Sequence, residues 1–160
     1  MKSPIIATTI LLATFSAQAA NPALSKLLSI YFDVKNALVN SDAATANTRA
    51  AEFVKAVSTI DMPSLSAEER AAFMPLQDKL ISDANAIAGT TDVKVQREKF
   101  KSLSDHIFTL AKAVKLSDAP VYQQYCPMQK SYWLSNEAAV KNPYYGKQML
   151  TCGKVTETLK

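Results

Sequence analysis

The hydrophobic positions of the first three quarters of the chain recur at the spacing of α-helices. Near the N-terminal end of this region they are Leu24, Leu27, Leu28, Tyr31, Val34 and Leu38. Because residues three and four apart share one face of a helix, this spacing predicts a first helix over residues 22–40. Asn21 followed by Pro22 marks its start, since asparagine caps helices and proline suits the first helical position.

The same periodicity predicts three further helices, over residues 42–60, 66–88 and 92–116. Ser66 and Glu69 form a capping box at the start of the third helix. Pro75 lies inside that helix and predicts either a kink or a split. The fourth helix has an apolar face whose spacing is typical of bundle packing: Phe100, Leu103, Ile107, Leu110 and Val114. Short connections between the helices favour antiparallel neighbours, so these segments predict an antiparallel four-helix bundle.

From Asp118 onward the pattern changes and no helical face can be traced. Residues 121–125 favour extended chain, and the Asn-Pro-Tyr-Tyr-Gly sequence of residues 142–146 is typical of a turn. Large aromatic residues are concentrated here: Tyr122, Tyr125, Tyr132, Trp133, Tyr144 and Tyr145. The sequence therefore predicts an all-α fold in which a largely irregular, aromatic-rich segment, residues 118–160, packs on the bundle, with room for short extended pieces.

Residues 1–19 have the pattern of a cleaved export signal. Lys2 provides a positive charge, residues 5–15 are apolar, and Ala17-Gln18-Ala19 has the small residues that signal peptidase requires. The apolar run is too short for a membrane span, which needs about 20 residues. We therefore expect a periplasmic protein with a single domain, residues 20–160, and no membrane span after cleavage.

The composition narrows the classes of function. A net charge of +4 with scattered lysines gives no reason to expect a nucleic acid partner. The chain has only three glycines, and this low number is typical of a helical protein. The chain has one histidine, no glycine-rich phosphate loop and no Gly-x-Ser-x-Gly motif, so the usual catalytic constellations are missing. We predict a protein that binds rather than catalyses.

The two cysteines carry the candidate chemistry. Cys126 and Cys152 each lie close to a methionine, Met128 and Met149 respectively. In an oxidising compartment the cysteines commonly pair, and a bridge closing a loop of about 27 residues would contribute about 3.5 kcal/mol. Alternatively, two thiolates with one or both methionines would suit Cu(I), with His106 as a further candidate ligand. The two hypotheses exclude each other at any moment, and the compartment alone favours the disulfide.

Four short blocks in the C-terminal segment carry a resemblance to a known family. They are Tyr125-Cys126-Pro127-Met128, Trp133-Leu134-Ser135, Asn142-Pro143-Tyr144-Tyr145-Gly146 and Met149-Leu150-Thr151-Cys152-Gly153. In this order they resemble an uncharacterised family of bacterial periplasmic domains, whose members occur alone or attached to the periplasmic adaptor subunits of copper and silver efflux pumps. The resemblance implies a helical-bundle domain with a link to copper handling.

Two functions therefore stay open at the level of sequence. The first is an exported, non-enzymatic accessory module that binds copper or related soft metals. The second is a disulfide-stapled interaction domain that binds no metal and docks on an efflux adaptor or another exported protein. The surface expected for such docking consists of the aromatic residues Tyr132, Trp133, Tyr144 and Tyr145.

Overall fold

The structure, a computed structural model, describes residues 19–160. The predicted export signal lies outside the described residues except for Ala19. Four helices follow one another along the first part of the chain: α1 (Pro22–Val39), α2 (Ala43–Ser58), α3 (Ala67–Ala88) and α4 (Val93–Ala113). Short 3-10 turns occupy Met62–Ser64 and Gly146–Gln148. The four predicted helices are confirmed, and none of the helices in residues 19–160 combines the length and apolar character needed to cross a membrane.

The caps that the sequence predicts fix the starts of α1 and α3. The side chain of Asn21 accepts a hydrogen bond from the backbone N–H of Ala23 at 3.0 Å. Ser66 and Glu69 form the reciprocal capping box, with each side chain accepting from the other residue's backbone N–H at 3.1 and 2.8 Å. Pro75 lies within α3, which continues past it as a single helix.

Contacts between helix ends show the relative directions of α2, α3 and α4. Asn47, near the start of α2, donates a hydrogen bond to the carbonyl oxygen of Ala88 at the end of α3. Gln96, near the start of α4, donates to the carbonyl oxygen of Ala43 at the start of α2. α2 and α4 therefore run in the same direction and α3 runs against both, as in an up-and-down bundle.

Tyr31 lies at the centre of the bundle and connects it to the C-terminal segment. Its ring is fully buried and stacks on Phe100 of α4, with the ring centroids 5.2 Å apart. Its hydroxyl lies 2.8 Å from Ser104 Oγ and accepts a hydrogen bond from the backbone N–H of Leu134 at 3.0 Å. Burial raises the pKa of Tyr31, so this hydroxyl stays neutral.

Replacing Tyr31 with phenylalanine is expected to lower the free energy of unfolding by about 1–3 kcal/mol, because the buried N–H of Leu134 loses its acceptor. Urea unfolding measures this change directly. The matched control is Tyr132→Phe, which removes a hydroxyl from an exposed ring and should change stability by less than about 0.5 kcal/mol. Equal effects of the two substitutions would show that the Tyr31 hydroxyl does not link bundle and C-terminal segment.

The prediction of an all-α fold with an irregular C-terminal segment is wrong. This segment forms a three-stranded antiparallel sheet from β1 (Val121–Cys126), β2 (Ser131–Ser135) and β3 (Lys154–Leu159). β1 is the central strand, paired with β2 on one side and β3 on the other. β1 and β2 form a hairpin whose turn includes Lys130 at a φ of 52°. A bulge interrupts the pairing with β3 between Gln123 and Gln124.

The physical reason for the error lies in how the strands are buried. β1 buries polar and apolar residues on both faces, including Gln123 and Gln124, so it lacks the strict alternation that marks a half-buried strand. β3 is mostly exposed. It is held by backbone pairing with a strand that is distant in sequence, and such pairing leaves little trace in the hydrophobic pattern.

The sheet lies between the helices and a covering loop, residues 136–153, which connects β2 to β3. β2 packs against α4. On the other face, the side-chain amide of Gln124 donates hydrogen bonds to the carbonyl oxygens of three successive loop residues, Glu137, Ala138 and Ala139, at 3.0–3.3 Å. This loop then returns towards β3 and brings residues 142–153 beside the end of β1.

Candidate functional site

The two cysteines meet where β1 ends and β3 begins. Cys126 is the last residue of β1, and Cys152 comes two residues before β3. Because Tyr125 is paired with Lys154 in the sheet, the two cysteines are brought side by side. Their sulfur atoms are 3.8 Å apart, and no bond joins them in this structure. Cys126 is fully buried, whereas Cys152 is half-buried.

Asn142 holds the loop that delivers Cys152 to this position. Its side-chain amide donates to the carbonyl oxygen of Cys152 at 2.7 Å, and its side-chain oxygen accepts from the backbone N–H of Tyr144 at 2.8 Å. Its own backbone N–H donates to the carbonyl oxygen of Leu150 at 2.8 Å. The sequence predicts a reversal over residues 142–146, but it does not single out this fully buried asparagine as the residue that closes the loop.

Gly153 permits the close approach of the two strands beside the cysteines. Its φ is +147°, and a Cβ atom added to it would lie 2.8 Å from the carbonyl oxygen of Tyr125 and 3.0 Å from Cη2 of Trp133. A side chain at this position would therefore clash with backbone as well as with the indole ring. The indole of Trp133, the only tryptophan of the chain, therefore lies against the residue that follows Cys152 and can serve as a fluorescent reporter of this region.

Backbone N–H groups of the β1–β2 turn face the two sulfur atoms. The N–H of Gln129 donates to Cys126 Sγ at 3.4 Å, and the backbone of Met128 forms a hydrogen bond with Cys152. Burial, followed by the hydrogen bond and charge interaction with Cys126, nevertheless raises the pKa of the Cys152 thiol, and the Met128 contact only partly offsets this. Cys152 is therefore protonated at neutral pH and is a weak nucleophile.

The predicted methionine ligands both lie between the two cysteines in the chain, Met128 two residues after Cys126 and Met149 three residues before Cys152. The carbonyl oxygen of Met149 accepts the backbone N–H of Cys152 at 3.0 Å, and the Met149 side chain is half-buried. The side chain of Met128 is 63 % exposed. Both residues thus contact the site through their backbones, and their thioethers are the softest additional donors nearby in sequence.

His106 has a different environment from the one proposed for a metal ligand. Its Nδ1 atom lies 2.6 Å from Oδ2 of Asp83, so the imidazole links α4 to α3. Within residues 19–160, no group of three or more histidine, cysteine, aspartate or glutamate side chains is arranged to hold a metal ion. His106 therefore does not form such a group with the two cysteines.

The four aromatic residues predicted as a docking surface divide into two pairs. Trp133 and Tyr144 are buried and contact each other edge to face, with ring centroids 5.9 Å apart. They belong to the core because the covering loop folds over β2 and closes on the indole. Tyr132 is 39 % exposed and Tyr145 is half-buried, so only these two rings remain available to a partner.

Comparison with known proteins identifies the helical part of the chain. Residues 27–119, more than half of the chain, match the family described as "Protein of unknown function (DUF3347)". The matched region covers most of the bundle and ends before the sheet and the cysteines. None of the curated proteins and none of the solved structures gives a match. The chain belongs to this family of unknown function.

Proposed function

We propose that the protein is an exported, non-enzymatic binding module whose Cys126–Cys152 pair binds Cu(I) or a related soft metal. The observation that carries the proposal is the 3.8 Å separation of the two sulfur atoms. Thiolates and thioethers are the donors that select Cu(I) over harder cations. Two thiols this close, each with a methionine within three residues in the sequence, form a donor set of that kind.

The different burial of the two thiols suits a site that takes up an ion from solvent. Half-buried Cys152 provides access, while fully buried Cys126 keeps one side of the pair away from water. Metal binding must displace the thiol protons. Because the pKa of Cys152 is raised, protons compete with the metal at neutral pH, and the apparent affinity should increase as the pH rises.

Two features support a binding role over catalysis by a thiol. A nucleophilic cysteine is usually activated by a lowered pKa or by a neighbouring histidine. The pKa of Cys152 is shifted in the opposite direction, and His106 is paired with Asp83. The sequence resemblance described above supports a role beside a heavy-metal efflux adaptor or another exported protein, with Tyr132 and Tyr145 as the exposed rings at the contact.

The test is an anaerobic titration of the reduced protein with Cu(I) in competition with a chromogenic Cu(I) chelator. We expect one ion per chain, and we expect Cys126→Ser and Cys152→Ser each to lose at least about tenfold in affinity, since each removes one of two thiolates. Met128→Leu and Met149→Leu measure the thioether contribution. Met74→Leu, at an exposed methionine of α3, is the matched control. Wild-type affinity in Cys152→Ser would contradict the proposal.

The same 3.8 Å separation supports a second candidate, a structural disulfide that fastens the covering loop to β1. Counting free thiols in protein isolated without reductant separates the two functions. Absence of labelled thiols, together with no Cu(I) uptake after reduction, favours the disulfide-stapled interaction domain. Two labelled thiols and stoichiometric uptake favour the metal site.

A further inference from the structure

Lys35 of α1 is a buried cation whose charge is poorly compensated. The residue is only 1 % exposed, and its Nζ atom has one long hydrogen bond, to Ser135 Oγ at 3.4 Å. That hydroxyl oxygen also accepts the backbone N–H of Glu137 at 3.1 Å. An ammonium group carries three donors and is costly to bury without a paired charge. Packing of the helices alone does not explain why a poorly paired ammonium group is buried at this position.

The two charged groups that act on Lys35 oppose each other. Burial lowers the pKa of Lys35 to about 8, with Lys141 acting in the same direction and Glu137 against it. Glu137 already forms an ion pair with Lys141 at 2.6 Å, and this contact is the main reason that the pKa of Glu137 is lowered. The carboxylate that acts on Lys35 is thus shared with a second lysine, and it does not offset the cost of burying the ammonium group.

Glu137 and Lys141, the two charged residues that act on Lys35, line an open cleft of about 410 Å³. It is lined by the end of α1 and by the covering loop: Asn36, Val39, Asn40, Glu137, Lys141, Lys147 and Leu150. Val39 is one helical turn after Lys35 and shares its face of α1. The lining itself carries two ammonium groups, Lys141 and Lys147, and one carboxylate, Glu137. Buried Lys35, which does not line the cleft, brings the net charge of the group to two positive units.

The end of α1 would ordinarily repel an anion, because the C-terminus of a helix carries partial negative charge. Here Arg97 of α4 donates a hydrogen bond to the carbonyl oxygen of Leu38 at 2.9 Å and so brings a further positive charge to this end. Asn36 and Asn40 add side-chain amides, which are hydrogen-bond donors of the kind that bind oxyanions.

We propose that this cleft binds a small, doubly charged oxyanion, such as a phosphate group or a dicarboxylate. Such an anion supplies the charge that Lys35 lacks and contacts Lys141 and Lys147 at the mouth of the cleft. Neither cysteine lines the cleft, so anion binding is a second function of the covering loop, separate from the cysteine pair.

The experiment compares inorganic phosphate and succinate with acetate and chloride at constant ionic strength and pH 7, following Tm and backbone amide chemical shifts. We expect phosphate, succinate or both to raise Tm saturably and to shift amides of residues 36–40 and 137–147. Lys35→Met should abolish the response, and Lys141→Gln should weaken binding by about tenfold, the loss of one charge-assisted hydrogen bond. Lys79→Gln, an exposed lysine of α3, should respond like wild type.

Two results would overturn the proposal. The first is no saturable effect of phosphate or succinate beyond that of acetate and chloride. The second is an unchanged response in Lys35→Met, a variant that is expected to fold because it replaces a buried charge with an apolar chain of similar length. Cys152→Ser should keep the anion response, so failure of the copper proposal and failure of this one are distinguishable.

Discussion

Replacing Gly153 with alanine is expected to lower the free energy of unfolding by about 2–4 kcal/mol, through the combined cost of backbone strain and overpacking. The glycine has a φ of +147°, and a Cβ atom would lie 2.8 Å from the carbonyl oxygen of Tyr125. Backbone cannot move aside here without disturbing the pairing of β1 with β3. Urea unfolding followed by Trp133 fluorescence measures the loss.

Gly89→Ala is the matched control for this substitution. Gly89 caps the end of α3 with a φ of −77°, and its added Cβ would meet only the carbonyl oxygen of Asn85, at 3.2 Å. We expect a change within about 1 kcal/mol. Gly153→Ala should also slow disulfide formation under mild oxidation, because Cys152 is pushed away from Cys126. Equal stability of the two variants would show that the approach at Gly153 is not tight.

Replacing Lys35 with methionine is expected to stabilise the protein at pH 7 by about 1–3 kcal/mol, because it removes a buried and poorly paired charge. The substitution should also flatten the dependence of stability on alkaline pH. The folded-state pKa of Lys35 is about 8, below the ordinary lysine value of 10.5. Between these values the unfolded chain binds more protons, so wild-type stability rises with pH, by about 3 kcal/mol in all. Below pH 8 the cost of burying the charge is fully present.

Urea unfolding at intervals from pH 7 to pH 10, in buffers without phosphate or dicarboxylates, tests this prediction. The wild-type curve should rise towards that of Lys35→Met as the pH increases. Towards pH 10 Tyr31 begins to ionise in the unfolded chain, which lowers stability because its folded-state pKa is raised, but this effect is the same in both proteins and cancels in their comparison. Parallel curves for the two proteins would mean that Lys35 does not titrate in this range.

The helical part of the fold could be predicted because its signals are local. Asn21 with Pro22, and Ser66 with Glu69, mark helix starts through hydrogen bonds that span at most three residues. The apolar spacing then gives the buried face of each helix directly. Directions of the helices also follow, since short connections leave little choice but antiparallel packing.

The sheet could not be predicted in the same way, because its determinants are non-local. β3 pairs with β1 across the whole covering loop, and its own residues are mostly exposed. Buried Gln124 is stabilised by three loop carbonyl groups that no sequence pattern announces. The prediction of a docking surface that includes Trp133 has the same non-local origin. Whether this ring is exposed or buried depends on the covering loop, which closes over it.

The candidate sites show both the strength and the limit of local signals. The turn at residues 142–146 indicates that the chain reverses and that the cysteines approach each other. Pairing of His106 with Asp83 joins two helices and has no local signal. The burial of Lys35 does have a local signal. The residue falls four residues after Tyr31 and three before Leu38, within the apolar stripe of α1.

The central claim, that two cysteine sulfurs form a soft-metal site, is tested most directly by X-ray absorption spectroscopy of the reduced protein loaded with one equivalent of Cu(I). We predict a first coordination shell that contains sulfur and that changes to a mixed or weaker shell in Cys152→Ser, while Met74→Leu keeps the wild-type spectrum. A shell of nitrogen and oxygen alone, or an identical spectrum in wild type and Cys152→Ser, would contradict the assignment of the metal to this pair.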